Sequence, residues 1–539
     1  MSSFEPEYLT QGEPAPAARR PLPRKVVALV ASAAAVVAVV GAGVWGFNLL
    51  AGGGGPRPDS AMPADTLGYL AIDLDPATGQ KLEALRTLRR IPSAAKDIGD
   101  RDDLREWVYR GFLRECEGIT YADDIEPWLG ERAAMAFIEA GDSFESFYVL
   151  QVTDRAASER AYAALGKCTD DTPGTAYVGE YAVIASSQRI ADDIAADAER
   201  EPLSEDANYQ AWMSRAGDPG IVTAYLAKRG PLVWSLEMAG YGGGEVRALP
   251  GDSAPDDGNG SLDPYVEVLE ARYADFEGFA GVVRFEGGGL EASLASKGLR
   301  HGASLFFYLP PVPLGLTHGE GNTVGQLPAD TGAAIGFAFE PGWLASYLDT
   351  IDEMFGVEEG DISIAEDMTR DLGITVEEAQ TLLGSAVSVA VDPSAGPDTV
   401  NLDGPQLAGT PIGARLSGDP AELERILAKL LDRLGRDGAA VEFASNDGQA
   451  AVGFDRAYAE KLLKVGTLGE TDRFRSAVPD AEKASGVIYA DLNAGSIGDL
   501  IAAMFDFDSA DVEAVSTFGM SDRTDDDGFV LNRIRISFD

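Results

Sequence analysis

MPADTLGYLAIDLDP, residues 62–76, and LPADTGAAIGFAFEP, residues 327–341, open in the same way. The shift between them is 327 − 62 = 265, and Pro-Ala-Asp-Thr recurs at Pro63–Thr66 and Pro328–Thr331. Each copy runs into an apolar stretch, Leu67–Leu74 or Ala333–Phe339, that reads as a buried strand. Each then meets a proline, Pro76 or Pro341, and the first copy continues as KLEALRTL, which places Leu82, Leu85 and Leu88 on one helical face.

More matches follow in the same order. WLGERAAMAFIE (128–139) resembles LLGSAVSVAVDP (382–393), shifted by 254. VTDRAASERAYAALG (152–166) resembles LSGDPAELERILAKLLDRLG (416–435), with Glu159-Arg160 falling on Glu424-Arg425 at 265. Asp154 and Asp419 suit helix N-caps, and Pro420 suits the first helical position. GEYAVIASSQRIADDI (179–194) resembles GQAAVGFDRAYAEKLL (448–463), strand into helix. LSEDANYQAW (203–212) matches LGETDRFRSA (468–477) at 265, and GIVTAYL (220–226) matches GVIYADL (486–492) at 266. Each copy ends in a hairpin signal, around Gly287–Gly289 and around Asp526-Asp527-Gly528.

This order predicts two tandem homologous α+β domains, 60–304 and 325–539, each an antiparallel sheet with helices on one face. A period this long is that of a domain pair rather than a solenoid. Duplicated domains pack about a pseudo-twofold axis, and the groove between them is the expected seat for a ligand.

Acidic residues number 88 against 43 basic, a net charge of −45, which argues against binding nucleic acid or anionic lipid by charge. Hydrophobic residues make up 45% of the chain, enough for packed cores. Residues Val26–Leu50 carry no charge. As a helix they would extend roughly 37 Å, enough to cross a bilayer. Arg19, Arg20, Arg24 and Lys25 precede them. The stretch predicts an uncleaved signal anchor in contact with the lipid bilayer, with residues 1–25 as a cytoplasmic tail and everything beyond it extracytoplasmic. Ala34, Ala38, Ala42 and Gly46 recur every four residues and could pair two such helices in a homodimer. Residues 51–59 read as a Gly/Pro linker and 305–324 as an apolar, Pro-rich one. In the second linker Phe306, Phe307 and Tyr308 either pack between the domains or form a partner- or lipid-contacting ridge.

Chemistry is sparse. The two histidines, His301 and His318, lie in no metal-ligand spacing, and GMSDR (519–523) lacks the last glycine of a nucleophile elbow. A calcium loop starting at Asp257 would put Leu262 where glycine is required and Val268 where glutamate is required. No catalytic, cofactor-binding or metal residue is assigned, and no cofactor is expected. Cys116 and Cys168 could form a disulfide closing 168 − 116 = 52 positions, worth about 4 kcal/mol in the chain-entropy model. The function expected is a non-enzymatic binding or scaffold ectodomain of the cell envelope. The alternative is an envelope enzyme of the hydrolase class using carboxylates.

MPADTLGYLAIDLDPATGQ, EPWLGERAAMAF and the preceding apolar stretch resemble an uncharacterised family of single-pass membrane proteins of high-GC Gram-positive bacteria, a domain of unknown function. The resemblance covers most of residues 60–539 and brings no catalytic residues with it.

Overall fold

Among the described residues of the computed structural model sixteen strands join in one continuous sheet, every pairing antiparallel. The structure describes residues 55–74, 87, 90–92, 119–140, 143–165, 173–233, 273–298, 321–354, 362–397, 408–434, 441–446, 448–505 and 507–538. The first eight strands are β1 (Gly68–Asp73), β2 (Leu129–Ala140), β3 (Ser143–Val152), β4 (Gly174–Val178), β5 (Tyr181–Ala185), β6 (Val222–Leu226), β7 (Gly278–Glu286) and β8 (Gly289–Lys297). The last eight are β9 (Ala333–Ala338), β10 (Ala386–Val391), β11 (Ile412–Ser417), β12 (Glu442–Asn446), β13 (Gln449–Gly453), β14 (Gly486–Asp491), β15 (Val515–Thr524) and β16 (Val530–Phe538).

From one edge the order runs β4-β5-β3-β2-β1-β6-β7-β8, and from the other β12-β13-β11-β10-β9-β14-β15-β16. The two halves therefore have the same connectivity, and they meet where β8 pairs with β16. The ladders give the correspondence residue by residue. Gly68 pairs with Phe137 and Ala333 with Val391, so β1 maps to β9 at 333 − 68 = 265 and β2 to β10 at 391 − 137 = 254. Tyr69 pairs with Tyr225 and Ala334 with Tyr489, so β6 maps to β14 at 489 − 225 = 264. That corrects the 266 taken from matching GIVTAYL to GVIYADL. A two-residue slip keeps every side chain on its own face, so apolar pattern alone cannot detect it.

Following the ladder outward, Val222 pairs with Val283 and Gly486 with Asp522, so β7 maps to β15 at 522 − 283 = 239. Gly278 pairs with Lys297 and Thr517 with Ser537, so β8 maps to β16 at 537 − 297 = 240. Ser293 then corresponds to Arg533 (293 + 240), and these two residues pair with each other. A local twofold axis passes through that pair.

Helices α1 (Arg155–Leu165), α2 (Gln188–Arg200) and α3 (Ala207–Ala216) belong to the first half. In the second half α4 (Trp343–Met354), α5 (Ile364–Leu372) and α6 (Val376–Leu383) precede α7 (Pro420–Leu434), α8 (Arg456–Leu462) and α9 (Asp472–Ala477), with α10 (Ile497–Phe505) and α11 (Ser509–Glu513) near the end. Caps set their starts: Asp154 accepts from Ala157 N–H, Asp206 from Tyr209 N–H, Asp419 from Ala421 N–H and Asp455 from Tyr458 N–H. Helices α2 and α3 cover one face through Ala191, Ile194, Tyr209 and Trp212, which pack on Tyr69, Val183 and Ala280. Helix α1 covers the other, where Ala161 meets Val152 and Ala182. Val183 and Ala182, adjacent on β5, point to opposite faces.

Three expectations are corrected here. The two sheets are one, because each half ends on a strand whose free edge is satisfied by the other half's last strand. Helices lie on both faces, not one. No helix among the described residues is long and apolar enough to cross a membrane. The longest, α7, interleaves Glu422, Glu424, Arg425, Lys429, Asp432 and Arg433 with its leucines. Val26–Leu50, with Ala34, Ala38, Ala42 and Gly46, lies outside the described residues. Lack of charge alone does not establish a helix across a membrane, and none of the described helices supplies one. The signal anchor, the single-pass topology and the extracytoplasmic placement built on that stretch are therefore withdrawn.

Pro58 and Asp59, at the end of the stretch read as a linker, are buried. Asp59 is buried and accepts a hydrogen bond from Tyr209 Oη at 2.7 Å, whose oxygen lies 2.6 Å from Tyr69 Oη. Tyr181 Oη donates to the Pro56 carbonyl at 2.6 Å.

Candidate functional site

Strand alternation decides what lies on the twofold axis. In LNRIRISF (531–538) Ile534 and Ile536 face one side of the sheet and join a core with Phe285, Leu290 and Ala292. Arg533 and Arg535 therefore face the other side, which carries α3 and α9. Cross-strand register brings partners beside them. Arg535 lies opposite Glu291 on β8 and Gly519 on β15. Arg533 lies opposite Ser293 and Ser521. Arg284 on β7 lies opposite Glu291, and Arg523 on β15 lies opposite Leu531.

Glu291 is the centre of the cluster, with its side chain 3% exposed. Arg284 Nη2 donates to its Oε1, and Arg535 Nε approaches its Oε2 at 2.8 Å. Ser293 Oγ donates to Oε1 at 3.1 Å. Arg284 also donates through Nε to Glu286 at 2.9 Å and through Nη1 to the Asp218 carbonyl, just past the C-terminus of α3. Arg535 Nη1 donates to the Ser476 carbonyl in α9 at 3.1 Å. The hydrogen bond to Arg284 holds the Glu286 carboxyl below the usual carboxylate range, with Arg535 and Arg533 adding to the effect. A buried carboxylate persists only when paired and hydrogen-bonded, and Glu291 is both.

Four arginines and two glutamates give this patch +4 − 2 = +2, in a chain of net −45. The site is thus a local reversal of the protein's charge, on the symmetry axis between the two halves.

A pocket of about 470 Å³ lies elsewhere, at the sheet edge formed by β4, between α1 and α2. Arg155, Glu159, Asp192 and Glu199 line it, and Arg155 is engaged by Glu159 at 3.0 Å and stacks over Tyr177 at 4.2 Å. The ladders put Phe443 in the second half where the first has Thr175 (178 and 446 end equivalent strands, a shift of 268), so a ring occupies the corresponding space. Among the described residues three carboxylates around one committed arginine leave this pocket no free cation, and we place the candidate site at the axis.

Cys116, Cys168, Phe306, Phe307 and Tyr308 all lie outside the described residues, as do both histidines. The arginine cluster was missed. Its signal was present in the alternation of LNRIRIS and in the paired charges of VVRFEGGGLEAS (282–293), but nothing local says that these two hairpins meet. Comparison with protein-family models, curated proteins and solved structures gives no match for this chain. The family resemblance seen in the sequence is neither strengthened nor overturned by that outcome.

Proposed function

We propose that this chain is a non-enzymatic binding or scaffold protein, descended from a duplicated eight-stranded unit, whose ligand seat is the arginine-rich patch on the local twofold axis. The observation that carries the reading is the axial cluster of Arg284, Arg533 and Arg535 around Glu291. A rigid sheet floor holds these groups, and the termini of α3 and α9 are tied to them by hydrogen bonds. The state of the carboxylates speaks against acid–base hydrolysis at this place. A general acid needs a raised pKa, whereas Glu286 is pushed down and Glu291 is committed to two guanidinium groups.

Native mass spectrometry of the full chain isolated from its source cells tests the proposal. A bound small molecule or protein is expected, and it should be lost when Arg533 and Arg535 are both replaced by glutamine. Retention of the same species by that variant would remove the axial patch as the seat.

A further inference from the structure

The two sides of the axis match in backbone and differ in charge. Arg284 corresponds to Arg523 (284 + 239). Glu291, which neutralises Arg284, corresponds to Leu531 (291 + 240), so Arg523 has an apolar residue opposite it where Arg284 has a carboxylate. Glu286 corresponds to Asp525 (286 + 239), but the Asp525 carboxylate accepts from the backbone N–H groups of Asp527 and Phe529 at 3.0 and 2.9 Å and closes the β15–β16 turn. Arg523 is exposed. Arg533 has its nearest carboxylate, Glu291, at 3.9 Å, beyond hydrogen-bond distance. Among the described residues neither guanidinium donates a hydrogen bond. Both lie close enough to Asp480 to help Lys483 hold that carboxyl low.

Ser521 lies between these two arginines: two residues before Arg523 on β15 and directly opposite Arg533 on β16. Side chains so placed are about 5 Å apart when directly opposite and about 7 Å apart on the diagonal. Two guanidinium forks and one hydroxyl thus converge on one spot, where the neighbouring carboxylates, Glu291 and Asp480, hydrogen-bond to Arg284, Arg535 and Lys483 instead. Guanidinium forks match the oxygens of phosphate bidentately, and two of them match a dianion. The overall charge of −45 does not forbid this, because exposed charges farther away than about 8 Å are largely screened at physiological salt.

Resting on the axial patch as the ligand seat, we propose that Arg523, Arg533 and Ser521 bind the dianionic phosphate group of a small molecule. Isothermal titration of the full chain with inorganic phosphate and with glycerol phosphate, at constant ionic strength, tests it. Saturable one-to-one binding is expected. Arg523→Gln and Arg533→Gln should each weaken it at least about ten-fold. Tighter binding of glycerol phosphate assigns the site to a phosphomonoester, and equal affinity assigns it to free phosphate. Leu531→Glu, which installs on the second side the carboxylate that the first side carries, should quench binding without removing either arginine. Arg189→Gln, on the exposed side of α2, should change nothing. Absence of binding by the wild-type chain, or undiminished binding in Leu531→Glu and in the Arg523→Gln/Arg533→Gln variant, overturns the phosphate site. A ligand that is retained in native mass spectrometry, is lost on replacing Arg533 and Arg535, yet carries no phosphate would leave the axial patch as the seat and overturn only its chemistry.

Discussion

Glu291→Gln is the perturbation whose cost follows most directly from the packing. The glutamine keeps the shape of the side chain and removes its charge, so the patch goes from +2 to +3. Glu291 is 3% exposed and Arg284 12%, so water cannot replace the lost carboxylate at either group. Removing one partner of a buried ion pair costs about 3–5 kcal/mol. Arg284 keeps Glu286 and the Asp218 carbonyl, and Arg535 keeps the Ser476 carbonyl, which places the loss at the lower end, about 3 kcal/mol. Urea denaturation followed by fluorescence measures it; Trp212 packs edge-on against Phe529 at 5.0 Å, beside the axis. The expected result is a lower midpoint at unchanged slope. Replacing the pair together, Glu291→Leu with Arg284→Met, should cost less than the sum of the two single changes, because the two most buried charges leave together and the groups that lose a partner, Arg535 and Glu286, are more exposed. A glutamine variant within about 1 kcal/mol of wild type would refute the claim that this carboxylate holds the cluster together.

Alkaline pH should destabilise the protein in a definite window. Burial pushes Tyr225 up to about 12 and raises Tyr69, Tyr181, Tyr209, Tyr458 and Tyr489 as well. A folded pKa above the unfolded value near 10 means that stability is intact below pH 10 and falls as pH rises beyond it, by about 1.4 kcal/mol per unit for each tyrosine still protonated in the fold. Urea midpoints that stay level from pH 9 to pH 11.5 would contradict this. Asp59→Ala leaves the paired buried hydroxyls of Tyr209 and Tyr69 one acceptor short and should cost about 1–3 kcal/mol, while Asp59→Val with Tyr209→Phe and Tyr69→Phe should cost less, since no buried hydroxyl is then unpaired and the second half has Val324 and Phe474 at the first two positions. Gly384→Ala should lose more than about 2 kcal/mol in thermal unfolding, because φ is +63° and a Cβ would lie 2.0 Å from the Ser417 carbonyl oxygen. Gly342→Ala, at φ +80° with open space around it, should lose only about 1 kcal/mol.

Local chemistry made much of the repeat legible. Pro-Ala-Asp-Thr marks the entry to β1 and β9, Asp154 and Asp419 mark the starts of α1 and α7, and Thr66 does bond back to the Pro63 carbonyl at 2.6 Å, closing the turn. What failed were facts that depend on partners distant in sequence. Gly179 was matched to Gly448, yet the first stands at the first turn position of the β4–β5 hairpin and the second at the second position of the β12–β13 hairpin, so the true shift is 268 rather than 269. The face of each strand could be read from alternation, but not which edge meets which. The axial site depends on that meeting, since Glu291 and Arg535 are neighbours only through the β8–β16 ladder. The membrane span was read from apolarity, which says nothing about whether a stretch is helical.

The β8–β16 seam underlies the single sheet, the twofold axis and the charge cluster alike. Hydrogen–deuterium exchange on the full chain tests it directly. If the seam exists, backbone amides of 290–296 and 530–536 exchange as slowly as those of the interior strands β1 and β9, on both sides of each strand. If every second amide in either segment exchanges within the time seen for the outer strands β4 and β12, these strands are edges, and the two halves do not form one sheet.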